Sequence, residues 1–241
     1  MKVLVYDEFS PEDMAMLQAL YSRSAASVTD HVLKVKQSGT GKFMEKYYVG
    51  YGHASIADCG STTVFLEGVS MLAAKAVQDW PLYSGQETSS RYINMSRQPL
   101  VDLVNTAASQ RILARWLEFY SSSQELVLAH LRATYPPASS DDPTVYERAV
   151  QARSFDVLRG FLPAGITTQL SWHTNLRQAA DKLLVLREHP LAEISDLAAK
   201  IQAALAKRYA HSFSHRVDQL GDNYRRLIAE RFTYFVASTK K

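Results

Sequence analysis

The chain has 241 residues, 46% of them hydrophobic and 21% charged, a balance that excludes a disordered polymer and is long enough to bury a sizeable core. Twenty-seven basic against 24 acidic side chains leave a net charge of +3, and no extended Lys/Arg block occurs, so no nucleic-acid partner is expected. The single Cys59 excludes an intramolecular disulfide framework and suits a reducing compartment. The opening MKVLVYDEF is too brief for a signal-peptide core, and no later run approaches the roughly 18 apolar residues of a membrane span. A cytoplasmic protein with no membrane partner is expected.

In chain order, Lys2–Tyr6 reads as a short buried strand. Ser10-Pro11-Glu12-Asp13 supplies an N-cap, a proline at the first helical position and an acidic first turn, predicting a helix to about Arg23. Ser27 caps a further short helix that breaks at Gly39-Thr40-Gly41. Thr62–Leu66, β-branched and aromatic, predicts a strand ended by Gly68. Val69, Leu72, Ala73, Ala76 and Val77 then fall at helical spacing, and Pro81 stops that helix. The second half reads as helical. Leu113, Trp116, Leu117 and Tyr120 mark a long helix towards Thr134, and Asp142-Pro143 opens another that ends near Pro163. Ile194, Leu197, Ala198 and Ile201 mark a third, and Gly221 interrupts a last helical region. The Pro136–Asp142 connector reads as an internal loop, giving one α/β domain over residues 1–241.

Two constellations stand out. DWPLYSGQETSSRYINM, Asp79–Met95, gathers Ser84, Gln86, Glu87, Ser89 and Arg91 and buries no hydrophobic face. It reads either as solvated turn chemistry or as a ligand loop converging at the end of the preceding helix. Arg91 suits a bidentate contact to phosphate or carboxylate, and Glu87 can accept from a sugar hydroxyl or base N–H. The second constellation holds Arg153, Arg159, Asn175, Arg177 and Arg187. Arg159 lies between Val157-Leu158 and Phe161-Leu162, a setting that asks for an anionic partner. His211 and His215 are spaced i, i+4, but HSFSH offers no third ligand, so no metal is expected. Cys59 reads as a small buried hydrophobe rather than a nucleophile.

Together these segments resemble the flavin-dependent thymidylate synthases. Ser84, Glu87, Ser89, Arg91 and Tyr92 sit at the intervals of the second half of that family's signature, with Gln86 where Asn is usual. GHASIADCGSTTVFLEGVS is similar to the segment leading into the signature, RGFLP to its Arg-x-x-Leu-Pro element, and NLRQAADKLLVLR to the helix that follows. The resemblance covers roughly residues 50–205. It implies an α/β fold, a mixed sheet with a long helical second half. It also implies a homotetramer whose sites form where subunits meet, with FAD, NADPH and methylenetetrahydrofolate converting dUMP to dTMP. Ser84, Gln86, Glu87, Ser89, Arg91, Arg159 and Arg187 then become the dUMP-binding candidates, with Ser89 and Arg187 catalytic. Asn175, His53, Arg177 and Trp80 become the flavin-side candidates.

The first half of the signature departs from the family. Asp79-Trp80-Pro81 stands in place of Arg-His-Arg, Cys59 stands where a flavin-side histidine is usual, and Pro190-Leu191-Ala192 replaces Ala-Gln-Trp. At about 1.5–3 kcal/mol for each charged hydrogen bond, two missing arginines weaken FAD by about 3–6 kcal/mol unless Arg177, Lys75 or Trp80 compensates. Three readings stay open: a divergent thymidylate synthase with a rebuilt flavin site, a related nucleotide flavoenzyme with altered chemistry, or an inactive dUMP-binding subunit that assembles with an intact relative.

Overall fold

The computed structural model describes residues 8–24, 26–213 and 218–231, so the expected strand Lys2–Tyr6 lies outside the described residues. Helix α1 (Pro11–Tyr21) starts where the capping residues place it: Ser10 Oγ accepts the Asp13 N–H at 3.2 Å and Pro11 occupies the first turn. Helix α2 (Val28–Ser38) is capped by Ser27 and closed by Gly39, whose φ of +64° is left-handed backbone that glycine adopts without strain. A short turn, α3 (Gly41–Phe43), runs into a π-helical segment, Met44–Gly50, and a 3-10 helix, Ala54–Cys59.

Strand β1 (Ser61–Ser70) continues through Gly68 rather than ending there, and Met71 N–H still donates to the Ile166 carbonyl at 2.9 Å. Ser70 Oγ accepts the Ala73 N–H at 3.0 Å, so α4 (Met71–Gln78) begins two residues later than the helical spacing suggests. The polar loop is not wholly irregular: it contains a strand, β2 (Ser84–Glu87). Helices α5 (Ala107–Thr134), capped by Thr106, and α6 (Pro143–Leu158) follow; the latter opens at the expected Asp142-Pro143, and Asp142 Oδ1 accepts from Thr144 and Val145.

The largest departure comes next. Thr167–Asn175 forms strand β3, the centre of a three-stranded sheet ordered β1-β3-β2, where the sequence reading expected helix alone. Thr168, Leu170, Trp172 and Thr174 are buried on alternate positions, the period-two pattern of a strand. The registers run antiparallel among the described residues, where a mixed sheet was expected: Leu176 N–H donates to the Gly60 carbonyl, and Thr88 N–H to the Gln169 carbonyl, each at 2.9 Å. Helices α7 (Leu176–Arg187), α8 (Ala192–Arg208) and α9 (Gln219–Arg231) complete the described chain. Gly221 does not interrupt α9. It lies in the first turn, where Asp218 Oδ1 accepts its N–H at 2.9 Å.

The chain packs as two compact units. The first takes the chain up to Val64, Ala76–Gly85 and everything from Trp172 onward. Its core joins Ala15, Ala19, Met44 and Ile56 in one cluster and Met16, Leu17, Val32 and Val35 in another. The close approach of α1 to the β1 start requires Gly60, since a Cβ there would lie 2.1 Å from the Pro11 carbonyl oxygen. The second unit takes Phe65–Lys75 and Gln86–Ser171. Its core is Met95, Tyr120, Phe155, Leu158 and Ile166, with Leu128, Leu131 and Val150 between α5 and α6.

Candidate functional site

Of the expected nucleotide-side residues, Gln86, Glu87, Ser89, Arg91 and Arg159 belong to the second unit. The Gln86 backbone is pinned to β3 by Ser171 Oγ, which accepts from Gln86 N–H at 3.0 Å and donates to its carbonyl at 3.3 Å. Beyond β2, Ser89 folds the chain sharply: its carbonyl accepts the Tyr92 and Ile93 N–H groups at 3.1 and 3.2 Å, and its Oγ accepts the Arg91 N–H at 3.4 Å. That turn aims Arg91 at Asp156. The guanidinium grips both carboxylate oxygens, Nε to Oδ1 at 3.1 Å and Nη2 to Oδ2 at 2.9 Å. Arg159, one turn along from Asp156, reaches the same Oδ1 at 3.1 Å.

Two guanidiniums therefore share one carboxylate, and the trio keeps a net positive charge. Arg91 and Arg159 remain 46% and 45% exposed, open to an outside anion. The Asp156 hydrogen bond and charge hold Arg91 firmly protonated, pushing its pKa further up. Arg159 is thus solvent-facing rather than embedded in its apolar run, and Asp156 is the anionic partner that the run called for. Asp156 itself was missed. Its only signal was the i, i+3 spacing to Arg159. Arg153 turns elsewhere, lying 4.5 Å over the Tyr135 ring and donating to its hydroxyl at 3.0 Å.

Ser84, Arg187 and the flavin-side candidates belong to the first unit. Ser84 is exposed at the start of β2. Arg187 ends α7 against Glu188 Oε1, 3.3 Å from Nε, and donates through Nη2 to Asp222 of α9. The hydrogen bond from Arg225, and then the Arg187 charge, hold the Asp222 carboxyl below the usual carboxylate range.

Each flavin-side candidate but one is closed onto the protein. Asn175 Oδ1 caps α7 by accepting the Gln178 N–H at 2.8 Å. Arg177 Nε donates to Asp58 at 2.7 Å. Trp80 Nε1 donates to Gln178 Oε1 at 2.7 Å, and buried Lys182, which sequence reasoning missed, donates to the Asp79 carbonyl at 2.8 Å with its ammonium 5.3 Å from the Trp80 ring centre. Burial lowers the Lys182 pKa, and the Asp79 charge offsets this in part. His53 is exposed, its ring 6.0 Å from that of Tyr51. The turn at residues 79–81 presents a carboxylate and an internally bonded indole, a donor set that does not fit a flavin pyrophosphate. Arg177, with its side chain 35% exposed, is in an ion pair with Asp58.

His211 Nδ1 lies 2.7 Å from Glu45 Oε1, and His215 falls outside the described residues. Among the described residues no three His, Cys, Asp or Glu side chains are grouped to hold a metal ion. Cys59 Sγ donates to the Ser55 carbonyl at 3.6 Å. Burial first, and then the Asp58 carboxylate, push its thiol pKa up. Because the thiolate fraction falls as the pKa rises, iodoacetamide is expected to alkylate Cys59 more slowly than free cysteine at neutral pH. A faster rate, followed by mass spectrometry, would restore the nucleophile reading.

A small antiparallel sheet with a long helical second half is an α/β architecture. A UMP/dUMP methylase, PolB from Streptomyces cacaoi, solved bound with 5-Br dUMP, shares this fold with a TM-score of 0.54, over 88% of this chain and 91% of that one at 16% identity. Thymidylate synthase X from Helicobacter pylori, solved with FAD and dUMP, gives a TM-score of 0.49 over 85% of this chain and 93% of that one at 19% identity. The family model described as thymidylate synthase complementing protein matches residues 3–210. The chain belongs to that family. A UPF0159 protein of Chlamydia pneumoniae is 27% identical over 64% of this chain and 32% of its own length. Another, from Thermoplasma acidophilum, is 23% identical over 92% of this chain and 52% of its own. The chain spans a third to about half the length of these curated relatives.

Proposed function

We propose that the chain binds a uridine 5′-monophosphate of the dUMP type and serves methylation at C5 of its ring. One observation carries the reading: Arg91 and Arg159, far apart in sequence, meet on Asp156 with their guanidiniums still open to solvent. A phosphate dianion suits that pair, because Asp156 sets the spacing of the two cations and the trio retains positive charge. Ser89 fixes the turn that delivers Arg91, and its neighbours Gln86 and Glu87 offer acceptors and donors for sugar and base. C5 methylation needs a firmly oriented, electron-rich pyrimidine, and an arginine can stabilise charge on a ring carbonyl. In its finer form the reaction is reductive methylation of dUMP to dTMP by a homotetramer, with methylenetetrahydrofolate as carbon donor and NADPH as reductant. Flavin would supply hydride chemistry when bound, and no step is assigned to it, since the turn at residues 79–81 does not suit it.

Calorimetry tests the nucleotide site. Arg91→Ala and Arg159→Ala are each expected to weaken dUMP binding by about 1.5–3 kcal/mol with unchanged thermal melts. Wild-type affinity in both variants sinks the assignment. The internally bonded flavin side favours a second reading, a dUMP-binding subunit without catalysis of its own. Absorbance of the purified protein titrated with FAD separates the two: a bound-flavin spectrum with dUMP turnover supports the enzyme, and dUMP binding without either supports the subunit.

A further inference from the structure

Helix α5 carries two apolar stripes, and only one of them is spent on the core of its own unit. Leu117, Tyr120, Val127, Leu128 and Leu131 pack inward. Trp116, beside Leu117, turns outward with Ile112, Phe119 and Leu126, each between 44% and 73% exposed. A row of large apolar side chains left in water along a 28-residue helix marks an interaction surface. Ile112, Trp116, Phe119, Ser123, Leu126 and His130 follow one another in steps of four, three, four, three and four. That alternation is the spacing of a coiled-coil seam, and it fits a second helix better than a strand or a small molecule. The surface is also held in shape. The Trp116 ring stacks on Phe161 at 6.3 Å between centroids, and Phe119 meets Phe161 edge-on at 5.2 Å. From Phe119 to His130 the stripe walls a groove of about 550 Å³, with Val157 and Phe161 opposite. All of these residues belong to the second unit.

We propose that this face receives the same face of a second copy of the chain, the two α5 helices running antiparallel about a two-fold axis at the level of Ser121. Such a contact is self-complementary, as a two-fold interface must be. Side-chain size sets the direction. Antiparallel, Phe119 of each copy fills the space over the small Ser123 of the partner subunit, Trp116 packs on Leu126 and Ile112 on His130. Parallel, Trp116 would meet Trp116 while Ser123 met Ser123, a clash followed by a void. Charge points the same way. On the solvent side of the stripe, Arg115 lies towards the N-terminus and Glu125 towards the C-terminus, both exposed. Antiparallel pairing brings Arg115 within reach of Glu125 of the partner subunit, whereas parallel pairing opposes like charges. Arg111 then nears Arg132 of the partner subunit, which Glu147 already neutralises. The proposal names one face for the assembly put forward above, and it does not depend on nucleotide binding.

Light scattering on the full chain tests the surface. Phe119→Asp and Leu126→Asp, both at exposed positions, are each expected to halve the mass of the assembly with an unchanged circular dichroism spectrum. Cysteines test the direction and need no disruptive change. In a Cys59→Ser background, Ile112→Cys combined with His130→Cys is expected to form a covalent dimer under mild oxidation, and Ile112→Cys alone is not. Within one chain these two positions lie about 27 Å apart along the helix, too far for an internal disulfide. A monomeric wild-type chain overturns the proposal, as does an assembly whose mass both aspartate variants leave unchanged. Covalent dimers from Ile112→Cys alone overturn the antiparallel direction. Calorimetry with dUMP on the same samples keeps the two readings apart. A monomer that binds dUMP removes this surface and leaves the nucleotide site standing. An assembly that halves with the variants but never binds dUMP does the reverse.

Discussion

Replacing Trp172 with alanine is expected to cost about 3–5 kcal/mol of folding stability. The indole is wholly buried in β3, the central strand, so the change removes its transfer free energy and leaves a large cavity. Among the described residues its Nε1 has no hydrogen-bond partner. Trp172→Phe therefore loses packing but no hydrogen bond, and it should cost clearly less than the alanine change. Urea melts of both variants check the ordering. An alanine variant within about 1 kcal/mol of wild type would mean that the sheet centre tolerates the void or is not packed as described.

That strand was also the element least legible in the sequence. Elements fixed by local chemistry were readable: Ser10-Pro11 starts α1, Ser27 starts α2 and Asp142-Pro143 starts α6, because a cap acts within one turn. TTQLSWHTN carried a period-two pattern, but it lies between an arginine-rich helix and a second helical run, and the surrounding period masked it. β2 is four residues long and polar, and only pairing with β3 makes it a strand. The same limit applies to the candidate site. Residue types at set intervals pointed to Arg91 and Arg159, yet their shared partner Asp156 lies 65 residues from Arg91. Asp222 is 35 residues from Arg187, and Lys182 is 103 residues from Asp79. Charge partners chosen by tertiary packing leave no periodicity to find. The family resemblance pointed to these arginines, while the carboxylates that pair with them needed coordinates.

Removing Arg91 and Arg159 together is expected to weaken dUMP binding by more than the sum of the two single changes, beyond about 3–6 kcal/mol. In either single variant Asp156 stays neutralised by the arginine that remains, since both guanidiniums reach its carboxylate. The single changes therefore each remove one cation from the phosphate and little else. In the double variant the carboxylate stands bare where the phosphate should bind, and two like charges are brought together. The penalty then includes repulsion that neither single variant contains. Adding Asp156→Ala to the double variant removes this repulsion, so the triple variant should bind dUMP more tightly than the double, a recovery unusual for a third loss at one site. Uridine, which lacks the phosphate, should lose little affinity in any of them. Competition calorimetry measures the full series at one ionic strength, which must be held constant because partly exposed charges are screened. A double variant no weaker than the worse single would mean that only one arginine meets the phosphate. A triple variant equal to the double would place Asp156 away from it.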